Sequence, residues 1–216
     1  MKKYSTVIFD MDGTLMDTLE DLKDSVNYAL LEFDMPQRTL ADIREFVGNG
    51  VFCLMELAVP KGTANPDFEK TFDVFKEHYS KHCNDKTRPY NGALELIKDL
   101  SEKGYKLAIV SNKYYDAVVE LNNLYFSDYI SVAIGEKEGI RKKPAPDTVQ
   151  TALAMLDSKE EDAVYIGDSE VDIQTAKNSG LDCISVSWGF RDADFLKEHG
   201  ANLIVDTPEQ VSIILK

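Results

Sequence analysis

The sequence predicts an α/β fold: a parallel sheet covered by helices on both faces, with an α-helical cap domain inserted after the first strand. Three observations carry this expectation. A short apolar run, Thr6–Phe9, stands near the N-terminus and reads as a buried strand. The stretch from about Met16 to Lys86 shows helical spacing and no strand-like run. From Ala93 onward, apolar strands and amphipathic helices alternate, the pattern of βα units in a parallel sheet. The 216 residues suffice for one such core and a modest insertion.

The elements follow in order. In residues 18–31 the apolar positions Leu19, Leu22, Val26, Ala29 and Leu30 recur at helical spacing. Helical runs follow at 40–46, 51–59 and 67–82, punctuated by Pro36, Pro60, Gly62 and Pro66. Arg88-Pro89-Tyr90-Asn91-Gly92 breaks that rhythm. Strands are then expected at 107–110, 131–134, 164–166, 183–186 and 203–205. Helices are expected at 93–102, 115–124, 146–156, 171–178 and 192–199. The first strand joins this second set, giving a Rossmann-like, three-layer core from residues 1–15 and 88–216. Residues 16–87 form the cap, joined to the core at two hinges. No repeat or low-complexity tract interrupts either part.

Composition narrows the function. Hydrophobic residues make up 44% and charged residues 29%, as in ordinary globular proteins. No apolar run approaches the ~20 residues that span a membrane. The first strand begins almost directly after Met1-Lys2-Lys3-Tyr4, which leaves no room for a signal peptide. Cys53, Cys83 and Cys183 are odd in number and far apart, and read as reduced thiols, so a cytoplasmic location is expected. With 38 acids against 24 bases, the net charge is −14. Such a surface repels nucleic acid and anionic lipid, and neither is an expected partner. An anionic small substrate would need a site made positive locally by a metal ion, a lysine or helix N-termini.

Ligands of open parallel sheets bind at the carboxyl ends of strands, and the chemically apt residues fall there. Strand one runs into Asp10-Met11-Asp12-Gly13-Thr14, two carboxylates beside a glycine that lets the chain turn. A carboxylate at position 10 needs no deprotonation to act as a nucleophile, and a covalent intermediate divides hydrolysis into two easier steps. Asp12 can protonate a leaving oxygen and then activate water. Alone, Asp12 would read as a helix cap or turn residue; beside Asp10 in this context that reading is poor. The next strand ends in Ser111-Asn112-Lys113, where Ser111 and Asn112 either cap a helix or hold a phosphoryl oxygen. Lys143, in Lys142-Lys143-Pro144, would place a fixed positive charge on phosphoryl oxygens, whereas Lys142 and Arg141 read as surface charges. Asp168 ends another strand, and Asp172 falls in the first turn of the helix after it; hard oxygen ligands of this kind suit Mg²⁺. Asp172 reads about equally as a residue that steadies its helix dipole, and any part at the metal lies one layer behind the ligands.

Other features have plainer readings. His78 and His82, with Cys83 beside them, have zinc-compatible spacing but no evident fourth ligand, and read as exposed residues. Asp17, Glu20, Asp21 and Asp24 make an acidic helix start that suits the dipole.

Asp10-Met11-Asp12-Gly13-Thr14, Ser111-Asn112, Lys143-Pro144, and Gly167-Asp168 through Asp172 closely resemble, in order, the four motifs of the haloacid dehalogenase-like hydrolase superfamily. The resemblance covers the whole chain, and the inserted helices are similar to that family's helical cap. Within it, residues 10–18, Glu20-Asp21-Leu22 and Val47-Gly48-Asn49-Gly50 are most similar to the phosphoglycolate phosphatase group. The resemblance implies Asp10 as nucleophile and Mg²⁺ ligand, and Asp12 as acid/base that gives its backbone carbonyl to the metal. It implies Asp168 as the completing ligand, and Ser111, Asn112 and Lys143 as holders of the phosphoryl group. Gly48, Asn49 and Gly50 then read either as a loop that closes over a small substrate or as a plain turn. Arg38, Arg44 and Lys61 are candidates for a cap cation. The expected partner is a small phosphorylated metabolite, most simply 2-phosphoglycolate, with pyrophosphate an alternative; the protein would be a monomer or homodimer.

Three rivals are less well matched. A sugar phosphomutase similar to β-phosphoglucomutase would carry a histidine where this chain has Leu22. A dehalogenase would lack the acid at position 12. A phospho-accepting receiver module would place its acceptor aspartate after the third strand and have no long cap.

Overall fold

Strand β1, Thr6–Phe9, lies at the middle of a six-stranded sheet and is buried along its whole length. The computed structural model describes residues 3–215. In chain order β2 (Met16–Asp17) comes next, then helices α1 (Leu19–Leu31), α2 (Leu40–Phe46), α3 (Val51–Ala58) and α4 (Phe68–His82), and β3 (Arg88–Pro89). The remainder alternates: α5 (Ala93–Glu102), β4 (Lys106–Tyr114), α6 (Tyr115–Tyr125), β5 (Val132–Glu136), α7 (Asp147–Met155), β6 (Ala163–Gly167), α8 (Glu170–Asn178), β7 (Asp182–Val186), α9 (Ala193–Glu198), β8 (Ile204–Val205) and α10 (Pro208–Ile214). The sheet order is β5-β4-β1-β6-β7-β8, with every pairing parallel. The predicted three-layer α/β core is found.

Side chains alternate across each strand, so every central strand supplies two cores. Val7 and Phe9 join Leu107, Ile109, Val164 and Ile166 on one face, under Ile97 and Leu100 of α5, Val118 and Leu121 of α6, and Val211 of α10. Ile8 joins Ala108, Val110 and Tyr165 on the other, under Val149 and Leu153 of α7 and Ala176 of α8. The register Thr6↔Lys106 and Thr6↔Ala163 sets Phe9, the last residue of β1, beside Ile109 of β4 and Ile166 of β6.

The chain divides into two compact units, one running to Met16 and resuming at Pro89, the other Asp17–Arg88. The second unit is helical. On α4, Phe68, Phe72, Phe75 and Tyr79 recur every three or four residues as one buried, ring-stacked stripe. Thr39 and Asp42 form a reciprocal capping box at the start of α2. Asp21 does more than steady a helix dipole: it is buried, and its carboxylate accepts the N–H groups of Lys86 (3.0 Å) and Thr87 (2.8 Å).

Several boundaries differ from expectation. The stretch 16–86 is not free of strand, because Met16–Asp17 pairs with Arg88–Pro89; two residues are too few to show a period. Strand β4 runs on to Tyr114, past the apolar residues, and its register against β5 slips between Val110 and Tyr114. Helix α10 was not expected, although Pro208 at its first turn after Thr207 is a start signal.

Candidate active site

The ends of β4, β1 and β6 deliver the polar residues to one edge of the sheet. The Asp10 N–H still donates to Ile166 (2.9 Å), so the nucleophile candidate continues the ladder by one residue. The chain then winds tightly: the Met11 carbonyl accepts the N–H groups of Thr14, Leu15 and Met16. Gly13 makes this possible with φ +85, and a side chain there would collide with the carboxylate of Asp168.

Lys143 is the hub. Its Nζ lies 2.8 Å from Asp10 Oδ1, 2.8 Å from Asp172 Oδ1 and 3.0 Å from the Tyr165 hydroxyl. The loop carrying it is held by Asn112, whose amide donates to Lys143 O (3.1 Å) and whose Oδ1 accepts from Lys143 N (2.8 Å). Asn112 thus meets the main chain of Lys143 with both ends of its side chain. Ser111 is buried beside it, and its Oγ accepts the N–H of Lys113 at 3.2 Å.

The carboxylates divide by their bonding. Asp10 Oδ1 also accepts the Met11 N–H at 2.7 Å, while Oδ2 carries none of these bonds. Asp168 accepts from Thr14 Oγ1 (3.1 Å) and Phe190 N (2.7 Å). Asp172 has both oxygens engaged: Oδ1 by Lys143 and Tyr165 (3.0 Å), Oδ2 by the N–H and hydroxyl of Ser169 (3.1 and 2.7 Å). It is therefore the acidic member of a capping box that opens α8 and, at the same time, the counter-ion behind Lys143.

Burial dominates the electrostatics. It raises the carboxyl of Asp10 well above the usual range, reinforced by the charges of Asp172 and Asp168 and opposed by Lys143. Asp168 is pushed up to about 7 by burial first and the charge of Asp172 second. Burial alone would lower Lys143, but the carboxylates of Asp10 and Asp172 outweigh it and raise the ammonium instead. Ligand oxygens of Asp10, Asp168 and Asp172 all lie within 4.8 Å of one another, the only such metal-capable group among the described residues. Three buried carboxylates around one lysine are short of positive charge, and hard oxygen donors at that spacing fit a divalent cation such as Mg²⁺.

Asp12 stands apart, paired with Lys113 at 3.1 Å. Gly48, Asn49 and Gly50 lie in the helical unit, between α2 and α3. There Arg38 is tied inward, its Nε donating to Ala58 O at 2.7 Å. His78 stacks between Tyr28 and His82 and bonds Ser25, and His82 bonds Asp85. Arg141 pairs with Asp147 on the surface. The sequence gives no role to the side chains of Lys113, Tyr165, Thr14 and Ser169. Lys113 follows Ser111-Asn112 directly, and Tyr165 falls on the alternating face of a strand that ends in Gly167-Asp168, so both signals were present but unspecific.

Comparison with known proteins places this edge in context. The family profile of haloacid dehalogenase-like hydrolases matches residues 7–186. A phosphoglycolate phosphatase of Mesorhizobium japonicum is 31% identical over 190 residues, covering 86% of this chain and 84% of its own. A pyrophosphatase PpaX of Listeria monocytogenes is 31% identical over 217 residues, covering 99% and 97%. A crystal structure from Lactobacillus delbrueckii subsp. bulgaricus, provisionally assigned as a phosphoglycolate phosphatase, superposes with a TM-score of 0.94 at 42% identity, covering 100% of this chain and 99% of that one. The chain belongs to the haloacid dehalogenase-like hydrolases and is an enzyme of their phosphatase branch.

Proposed function

We propose that this enzyme hydrolyses a small phosphomonoester, 2-phosphoglycolate first among the candidates, through a phosphoaspartyl intermediate on Asp10. The observation that carries the reading is the pairing of Asp10 with Lys143 at 2.8 Å, two residues before a second carboxylate. The Asp10 carboxylate attacks phosphorus, the bond to the ester oxygen breaks, and Asp12 gives that oxygen its proton. Asp12 then takes a proton from water as the water attacks the phosphoaspartate, releasing inorganic phosphate and restoring Asp10. Lys143 aligns Asp10 through Oδ1 and, with Ser111, faces the charge that develops on the phosphoryl oxygens. Asn112 contributes by fixing the main chain of Lys143. Asp10, Asp168 and the carbonyl of Asp12 would hold Mg²⁺, with Asp172 behind them. A bound Mg²⁺ would supply positive charge to a phosphate that the −14 chain otherwise repels.

Pyrophosphate is a second candidate, favoured by the likeness to PpaX over nearly the full length of both chains. We assign the choice between substrates to the helical cap unit and to its Gly48-Asn49-Gly50 segment. The test is phosphate release from 2-phosphoglycolate, sugar phosphates, nucleotides and pyrophosphate, with and without Mg²⁺. Mg²⁺-dependent release from one small ester supports the reading. Turnover independent of Mg²⁺, or isomerisation of glucose 1-phosphate without phosphate release, overturns it.

A further inference from the structure

We propose that Lys113 is a positioning residue that holds the side chain of Asp12 in place for proton transfer to the leaving group. The proposal rests on the phosphatase reading above and extends it to a residue that reading does not use.

Lys113 is the next-to-last residue of β4, and its side chain is 1% exposed. An ammonium is not left in such a place without a charged partner. Its Nζ stands 3.1 Å from Asp12 Oδ1. The main chain around it is fixed on both sides. Its N–H donates to Ser111 Oγ at 3.2 Å, and its carbonyl packs so closely on Gly135 of β5 that any side chain there would collide. The lysine therefore projects from a rigid base, at the place where β4 slips its register.

Asp12 needs such support more than its neighbours do. Asp10 and Asp168 are buried and bonded to backbone N–H groups, whereas the side chain of Asp12 is 20% exposed. A short carboxylate at an open edge samples several staggered rotamers. An acid displaced by about 1 Å from the leaving oxygen loses much of its effect. The bond from Lys113 Nζ selects one rotamer. Lys143 cannot serve here, because its three N–H groups already face Asp10, Asp172 and Tyr165.

The test separates proton transfer from binding and folding. In Lys113→Met, kcat/KM is compared for 2-phosphoglycolate, whose alkoxide needs a proton to leave, and for p-nitrophenyl phosphate, whose phenolate does not. This constant reports every step up to departure of the leaving group. The expected result is a fall of roughly 10- to 100-fold for the alkyl ester and within about threefold for the aryl ester, the difference a misplaced general acid produces. KM for the alkyl ester holds, Lys113→Arg recovers part of the loss, and Lys113→Met has no further effect in an Asp12→Asn background. Equal losses on both esters, or a loss confined to KM, overturn the proposal in favour of a structural or substrate-binding lysine. Should Lys113→Met not fold, Lys113→Gln gives the same comparison. A wild-type protein inactive on every phosphoester would instead overturn the phosphatase reading itself, and this proposal with it.

Discussion

Asn112 closes a two-point ring on Lys143, donating to its carbonyl and accepting from its N–H at 3.1 and 2.8 Å. A residue of β4 thereby sets the position of a lysine carried by a separate loop 31 residues away in sequence. Replacing Asn112 by Ala removes both bonds and leaves two buried main-chain groups unpartnered, a cost of about 1–3 kcal/mol each in the worst case. Thermal unfolding should fall accordingly, and kcat should fall roughly 10- to 100-fold with a smaller change in KM, because Lys143 is misplaced and not removed.

Asp10→Asn should abolish turnover, by at least about 10⁴-fold, since an amide does not form the phosphoaspartate. The fold should persist. Burial and the neighbouring carboxylates disfavour the charged form of Asp10, so a neutral side chain of the same shape relieves repulsion, although Lys143 loses one charged partner. Calorimetry on metal-free protein should show an unfolding temperature no lower than that of wild type.

The pH dependence of stability should carry the mark of Asp168. Its carboxyl is raised from 3.8 to about 7 in the folded protein. The folded state therefore keeps a proton that the unfolded chain gives up at lower pH. This contribution is full below about pH 4 and is lost as pH rises toward 7, at up to about 1.4 kcal/mol per pH unit. Above 7 it is flat. Mg²⁺ needs the ionised carboxylate, so its apparent affinity should rise with pH up to about 7 and then level. Titration calorimetry at pH 5.5 and 8 should find tighter binding at pH 8, and Asp168→Asn should reduce the difference, leaving the part that the raised carboxyl of Asp10 contributes.

Tyr165→Phe removes the hydroxyl that joins Lys143 to Asp172 at 3.0 Å on each side. Both ions keep their mutual contact, so the loss should be modest: about 1–2 kcal/mol in denaturant unfolding and a severalfold fall in kcat. A kcat equal to that of wild type would show that Tyr165 only fills the core.

Much of this was legible in the sequence because strand ends are legible. The apolar run 6–9 is short and continuous, so Asp10 falls at its end by necessity, and the same holds for Asp168 after Val164-Tyr165-Ile166-Gly167. The end of β4 was harder to place. Its strand continues through Ser111-Asn112-Lys113-Tyr114, polar residues that hydropathy reads as loop, so the burial of Lys113 left no trace in the pattern. Long-range pairing was hidden for the same reason. Nothing in the spacing tells that Asn112 faces the main chain of Lys143, or that Asp21 bonds Lys86 and Thr87, because those bonds join segments far apart in sequence.

The three contacts of Lys143 also bear on how the product leaves. An ammonium has three N–H groups, and Asp10, Asp172 and Tyr165 already receive them. A phosphoryl oxygen can reach Lys143 only by exchange with one of these acceptors, so the gain on binding is the difference between two good contacts. When inorganic phosphate departs, the displaced acceptor returns and no buried charge is stranded. On the proposed reading, the lysine would stabilise charge during the reaction without holding the product tightly after it, which would favour turnover over product inhibition.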